Sequence, residues 1–541
     1  MSNEKKSLFI TDDGRNVMFT FILVSSLFLL WGFCNGMIDV MDKHFQEELH
    51  LTLAQSAWVQ FAHYLGYFLM ALPAGWLATK LGYKGGIIAG LLMVAVGGFW
   101  FIPATKIAEF WAFLVGVCFI ASGLTFLETI ANPYTTVLGP KQFAATRINL
   151  AQSCNGIGWI FGPIAGGMFF YSKDAAGHST GSQTLWIPYA GVAVVVIILS
   201  VVFYFAPVPD IKTEDEYHLD EKGDAGAAEG GREFSHTLVY SLMLVNALIL
   251  IGITGMILWL ILSACKLGGS AVGLASALAA PLGMKVTDEN SLMIVLTAMG
   301  VVAAIGSAAL LAKSTRSISQ HSIWTHPHFS GATLAQFFYV AAQCGIFSFL
   351  INYMTSQVPA IPASWDSGFL KGCFEANKDG ILVITNKTAA TLASVGFFCF
   401  LSGRFSGAAL LKKFSAHTIL GLYGLINVLA CFLIFLKLGW LSVICVFASY
   451  FFMSIMFPTI FALGIFGLGV RAKRASSYIV MAIMGGAILP KLMGAVADKY
   501  DMSRGFIVPL VCFGFVALYG FCWPKLSGAP SMFGAKSSGG H

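Results

Sequence analysis

Apolar runs of roughly 20 residues recur along the whole chain, each long enough to cross a bilayer as a helix. Six stand in the first part, near residues 18–42, 54–79, 85–103, 107–137, 144–171 and 185–206. Pro207 and Pro209 then open the longest polar stretch between apolar runs, which reads as a solvated linker. Two further runs follow near 237–264 and 291–312. Six more lie near 329–354, 387–411, 417–437, 440–464, 473–496 and 505–523. The pattern predicts an all-α polytopic membrane protein of 14 spans.

Positive charge sets the expected orientation. With the N-terminus inside, the larger share of the Lys and Arg residues falls in loops and tails on the cytoplasmic side. Among them are Lys412–Lys413 and the group Arg471, Lys473 and Arg474. Both termini are then cytoplasmic. The first residues are polar with no cleavage pattern after the first apolar run, so that run is expected to remain as a helix. Gly75 to Lys84, between the second and third runs, has a counterpart in Gly403-Arg404-Phe-Ser-Gly407 with Lys412 and Lys413, which reads as a hinge at the matching place. That repetition suggests two six-helix bundles related by an axis along the membrane normal. The expected domains are 1–206, a middle region 207–328 holding the linker and two extra helices, and 329–541.

Composition narrows the class. Of 541 residues, 57% are hydrophobic and 11% charged, with a mean hydropathy of +0.77, against about 25% charged in soluble domains. A soluble enzyme, a disordered chain and a nucleic-acid binder are excluded, and the net charge of +6 bears on sidedness rather than on nucleic acid. The 11 cysteines lie scattered in apolar runs, as buried small hydrophobes do, with no metal-ligand spacing. No nucleotide loop or hydrolytic nucleophile motif is present, so uphill movement of a solute would draw on an ion gradient.

A charged group inside a spanning helix is expensive and usually has a task. Asp39 lies one turn after Asn35 on the first helix, and Glu128 lies deep in the fourth, a turn before Asn132 and Pro133. Burial disfavours the charged form of an isolated carboxylate, so such a group can take up and release a proton. The alternatives are a helix-end carboxylate reaching water for Asp39 and a helix-joining salt bridge for Glu128. Neutral polar residues form stripes: Asn149, Gln152 and Asn155 on the fifth helix; Gln60, Tyr64 and Tyr67, with His63 beside them, on the second; Gln336, Tyr339 and Gln343 on the segment from 329. Asn352 joins that last face only if the helix breaks, for which Gly345 is the candidate. Amides pair with sugar hydroxyls and flat rings stack on a pyranose, although interhelical hydrogen bonding uses the same residues.

These positions carry a resemblance to the fucose–proton symporter family of the major facilitator superfamily. The matching stretches are Phe28-Leu-Leu-Trp31-Gly with Asp39, Glu128-Thr-Ile-Ala-Asn132-Pro133-Tyr134, Leu138-Gly139-Pro140, and Arg147-Ile-Asn149-Leu-Ala-Gln152 with Asn155 and Gly158. In the second half they are Leu334 to Gln343, Met453 to Gly464 with its Pro458-Thr-Ile-Phe, and Ser476 to Gly486. The resemblance implies the major facilitator fold and import of a monosaccharide such as fucose, glucose or galactose by proton symport. It makes Asp39 and Glu128 the proton-coupling acids. Asn35, Gln60, Tyr64, Glu128, Gln152, Asn155, Gln336, Tyr339, Gln343 and Asn352 are the expected sugar contacts. No cofactor is implied beyond the co-transported proton, with sodium as the alternative ion. A polyol carrier and a non-transporting receptor or scaffold are the competing functions. The expected setting is a monomer in the lipid bilayer of a bacterial inner membrane, with no nucleic-acid partner. Two features depart from the family: Ile38 precedes Asp39 where Asn-Asp is common, and two spans are inserted between the halves.

Overall fold

The computed structural model describes residues 9–10, 15–48, 58–139, 144–170, 184–208, 236–264, 268–314, 322–366, 374–376, 381–411, 414–468 and 471–528. The charged linker, Lys412–Lys413 and the chain ends lie outside the described residues. Helices account for nearly everything described, because a chain in hydrocarbon must satisfy its backbone polar groups internally. Among the described residues, eleven helices are long and apolar enough to cross a membrane, or 12 if the bent pair Pro327–Ser348 and Leu350–Ser356 is one span.

The first half contains α1 (Met18–Glu48), α2 (Trp58–Ile107), α3 (Phe110–Val137), α4 (Ala144–Phe170) and α5 (Trp186–Phe205). The two apolar runs at 54–79 and 85–103 form the limbs of α2, which fold back at Gly82 (φ 71°, ψ −176°), a conformation that disfavours any residue with a Cβ. Beside this kink the Lys84 ammonium donates to the Ala206 carbonyl (2.9 Å), closing the end of α5.

α1 crosses α4 at backbone contact distance. A Cβ on Gly158 would run into the Leu29 carbonyl and stand 2.5 Å from the Phe33 nitrogen. Small residues permit such crossings in membranes, where close packing replaces the hydrophobic effect as the driving force. Gly158→Val is therefore expected to destabilise the first half by about 1–3 kcal/mol or more. Thermal unfolding in detergent checks this, and an unchanged midpoint would contradict it.

The inserted region is a compact unit of its own, residues 222–334, whereas residues 1–221 and 335–541 cluster together. It contains α6 (His236–Ala264), α7 (Gly268–Ala279) and α8 (Asp288–Ser314), and runs into the first residues of α9 (Pro327–Ser348). The short helix α7 was not anticipated. Tyr240 donates to the Ala308 carbonyl (3.2 Å), joining α6 to α8, and the Thr333 hydroxyl donates to Asn246 Oδ1 (2.8 Å), joining α6 to α9. Almost none of the apolar surface of α6 and α8 is buried, as expected of helices facing lipid.

The second half continues from α9 through α10 (Leu350–Ser356), a hairpin of β1 (Phe374–Ala376) and β2 (Leu382–Ile384), then α11 (Asn386–Leu410), α12 (Ala416–Phe435), α13 (Trp440–Met453) and α14 (Met456–Ile465). It ends with α15 (Ala472–Met481), α16 (Gly485–Lys499), α17 (Met502–Gly505) and α18 (Ile507–Ser527). The strands pair antiparallel, Glu375 opposite Val383. The packing of α2 on α3 and α5 recurs as α12 on α13 and α18, so the two halves repeat in their helix pairing as well as in length.

Two expectations are corrected. The break in the segment from 329 falls at Phe349, with a 46° bend, rather than at Gly345. Gly403-Arg404-Phe-Ser-Gly407 is not a hinge between helices but lies inside α11.

Candidate functional site

Glu128 sits in the middle of α3 and is 2% exposed. Neither of its oxygens meets a donor in hydrogen-bond geometry. The Tyr67 hydroxyl from α2 lies within electrostatic reach of it, while accepting Trp31 Nε1 from α1 and standing in reach of Asn35. One turn along α3, Asn132 begins a ladder of amides. Gln152 Nε2 donates to Asn132 Oδ1 (2.9 Å), and Asn155 Nδ2 donates to Gln152 Oε1 (3.0 Å). The ladder leaves its outermost atoms unused: Asn132 Nδ2 and Asn155 Oδ1 are buried without partners. Arg147, two turns before Asn155, is fully buried and donates to the Thr135 and Gly139 carbonyls (both 3.1 Å), satisfying the free end of α3. These bonds fix the C-terminal end of α3 against α4 beside the ladder.

A second group lines a cleft between the halves: Asn35, Gln60, His63 and Tyr64 from the first, with Cys344 and Phe347 from the second. The Tyr64 hydroxyl stands 2.6 Å from Cys344 Sγ, bridging the halves. Trp159 also borders the cleft, its ring packed on Phe347 and Phe397 at 5.4 and 5.0 Å. The cavity volume is about 10 Å3, room for about one water and far less than a sugar ring.

The sequence-expected residues thus divide. Glu128, Gln152 and Asn155 form the ladder region, and Asn35, Gln60 and Tyr64 the cleft. Gln336 on α9 is fully buried with both amide atoms unpartnered. Tyr339 is also fully buried, but its hydroxyl donates to the Met453 carbonyl (3.0 Å), freed where α13 gives way to α14. Gln343 and Asn352 are half-buried and do not line this cleft. Asp39 and Asn149 lie on α1 and α4, but their side chains are outside the described residues. Trp159 was not among the expected site residues, and Arg404 was expected only in a hinge. An arginine within the apolar run 387–411 was the available signal for the latter.

A bundle of apolar helices enclosing unpaired amides and a lone carboxylate defines a membrane transporter and not an enzyme. The chain belongs to the Major Facilitator Superfamily, whose pattern it matches over residues 18–361, and within it to the family of the L-fucose-proton symporter. It is 30% identical to the L-fucose-proton symporter of Escherichia coli (strain K12), over 94% of this chain and 93% of that protein. It is 25% identical to a glucose/galactose transporter of Brucella abortus biovar 1 (strain 9-941), over 95% and 96%. Among solved structures it is similar to the transporter FucP in the outward conformation, with a TM-score of 0.60, 27% identity, and coverage of 94% of this chain and 99% of FucP. The proton:xylose symporter XylE shares the fold alone, with a TM-score of 0.58 at 12% identity over 95% and 96% of the two chains.

Proposed function

We propose that this protein imports a monosaccharide together with a proton by alternating access, the two halves rocking about a site at the level of Glu128 and the amide ladder. One observation carries the reading: Glu128, Asn132, Asn155, Asn35 and Gln336 all leave buried polar atoms unpaired. Each such atom is destabilising until a partner arrives, and a polyhydroxylated ring supplies donors and acceptors to several at once. The names of the relatives, L-fucose-proton symporter and glucose/galactose transporter, support a neutral sugar and a proton. Nothing in this group of relatives supports sodium.

In this reading Asp39 and Glu128 are the proton-coupling acids, and Glu128, Gln152, Asn155 and Gln336 meet the sugar. Asn35, Gln60 and Tyr64 line its entry, and Gln343 and Asn352 are reached as the halves move. The chain crosses the membrane 14 times. The first limb of α2 and the polar-striped α4 complete the apolar helices already counted, since α4 at 27 residues reaches about 40 Å. Both termini are cytoplasmic, the carrier works as a monomer in a bacterial inner membrane, and 207–328 is a region added to the two six-helix bundles in the sequence.

A panel of fucose, glucose, galactose and a polyol tests the reading, with the intrinsic tryptophan fluorescence, to which Trp159 at the cleft contributes, as the signal. Saturable quenching by one or more monosaccharides, relieved by competition, is expected. A response to the polyol alone would turn the assignment to a non-sugar carrier.

A further inference from the structure

Arg404 is a buried cation, 2% exposed, on the last turns of α11. Burying a guanidinium requires that its donors be satisfied, because an unpaired charge in this setting is strongly destabilising. Two hydrogen bonds and one ring contact hold it. Its Nε donates to the Ser454 carbonyl (3.1 Å), an acceptor released where α13 breaks before α14. Its face lies over the Phe400 ring at 4.8 Å. The other bond crosses between the halves: an Nη atom donates to the backbone carbonyl of Gln152 on α4.

Ser454 and Phe400 belong to the same half as Arg404 and stay with it when the halves rock. Gln152 belongs to the other half. In the orientation proposed above, α4 begins and α11 ends at the cytoplasmic face, so this bond lies toward that face. Beside it the halves are in close contact, where a Cβ on Gly156 would stand 2.9 Å from the Leu401 side chain. The same Gln152 whose carbonyl takes Arg404 holds Asn132 and Asn155 through its side chain.

We infer that Arg404 is the cytoplasmic-side latch of the carrier: its guanidinium, anchored on the broken helix at Ser454, hooks the Gln152 carbonyl and holds the halves closed there. Opening to the cytoplasm breaks the hook, and water takes the place of the carbonyl. Because Gln152 is also a rung of the amide ladder, the latch is a positioning residue that ties the closed gate to the geometry of the sugar site. The inference rests on the rocking-bundle reading but not on which sugar is carried, and its readout needs no substrate.

Spectroscopic labels attached through unnatural amino acids at the exposed residues Lys80 and Phe414 report the separation of the halves at the cytoplasmic face. A charge-assisted hydrogen bond favours the closed form by about tenfold or more. Arg404→Met should therefore raise the open-to-closed ratio by about that factor in the absence of sugar, and Arg404→Lys, which keeps the charge but reaches only one carbonyl, should fall between. Should the methionine variant not fold, the lysine variant alone decides. A folded variant with the wild-type distance distribution overturns the latch and leaves Arg404 as a bolt within its own half. Failure of the sugar panel with the distance shift intact would instead remove the sugar assignment and keep the latch.

Discussion

Glu128→Ala is expected to weaken sugar binding severely, lowering affinity by about 10–100-fold, the effect of losing one charged hydrogen-bonding group in a buried site. The carboxylate stands without a geometric donor between Tyr67 and the Asn132 end of the amide ladder. A sugar hydroxyl placed there donates to it, and the same hydroxyl has the idle Asn132 amide within a helical turn. Glu128→Gln keeps the shape and one acceptor, so binding should weaken less while proton-driven accumulation is lost. Calorimetry on the purified variants separates the two effects. Wild-type affinity in Glu128→Ala would move the sugar site away from α3.

Asp39→Asn is expected to leave sugar exchange across the membrane while abolishing accumulation driven by a pH gradient. Asp39 follows Asn35 by one turn on α1, and Asn35 opens into the cleft. In the orientation proposed above this end of α1 is the outer one, so an acid there would load its proton before closure. Neutralising it leaves the amides in place, so the loaded carrier still crosses in both directions, but the gradient has lost its handle. Counterflow near the wild-type level with downhill-only net uptake is the signature. Normal accumulation in this variant would remove Asp39 from the coupling role.

Eleven or twelve of the expected spans and the buried acid were legible in the sequence because both are local properties. A run of apolar residues fixes a helix in lipid wherever it packs, and a single carboxylate in such a run, Glu128, is conspicuous at once. Gln152 and Asn155 were legible for the same reason, being three residues apart on one helix. What depended on tertiary placement was hidden. Tyr339 shares a face with Gln336 and Gln343 by periodicity, yet its hydroxyl is taken by the Met453 carbonyl, and the break there has its local signal in Pro458, which cannot donate to the carbonyl one turn earlier, rather than in the Tyr339 segment itself. Arg404 sat between two glycines and read as a loop. Its partner Gln152 is 252 residues away in sequence, and only packing of α4 on α11 brings the two together. The bend at Phe349 likewise follows from no glycine or proline at that residue.

The central claim, symport of a sugar with a proton, is tested most directly by sugar-dependent proton movement in proteoliposomes carrying a pH-sensitive dye inside. With sodium absent and no initial gradient, adding an accepted sugar outside should acidify the lumen, and Asp39→Asn should erase the signal. Sugar entry with no change in lumenal pH, or entry that appears only when sodium is supplied, would contradict the account.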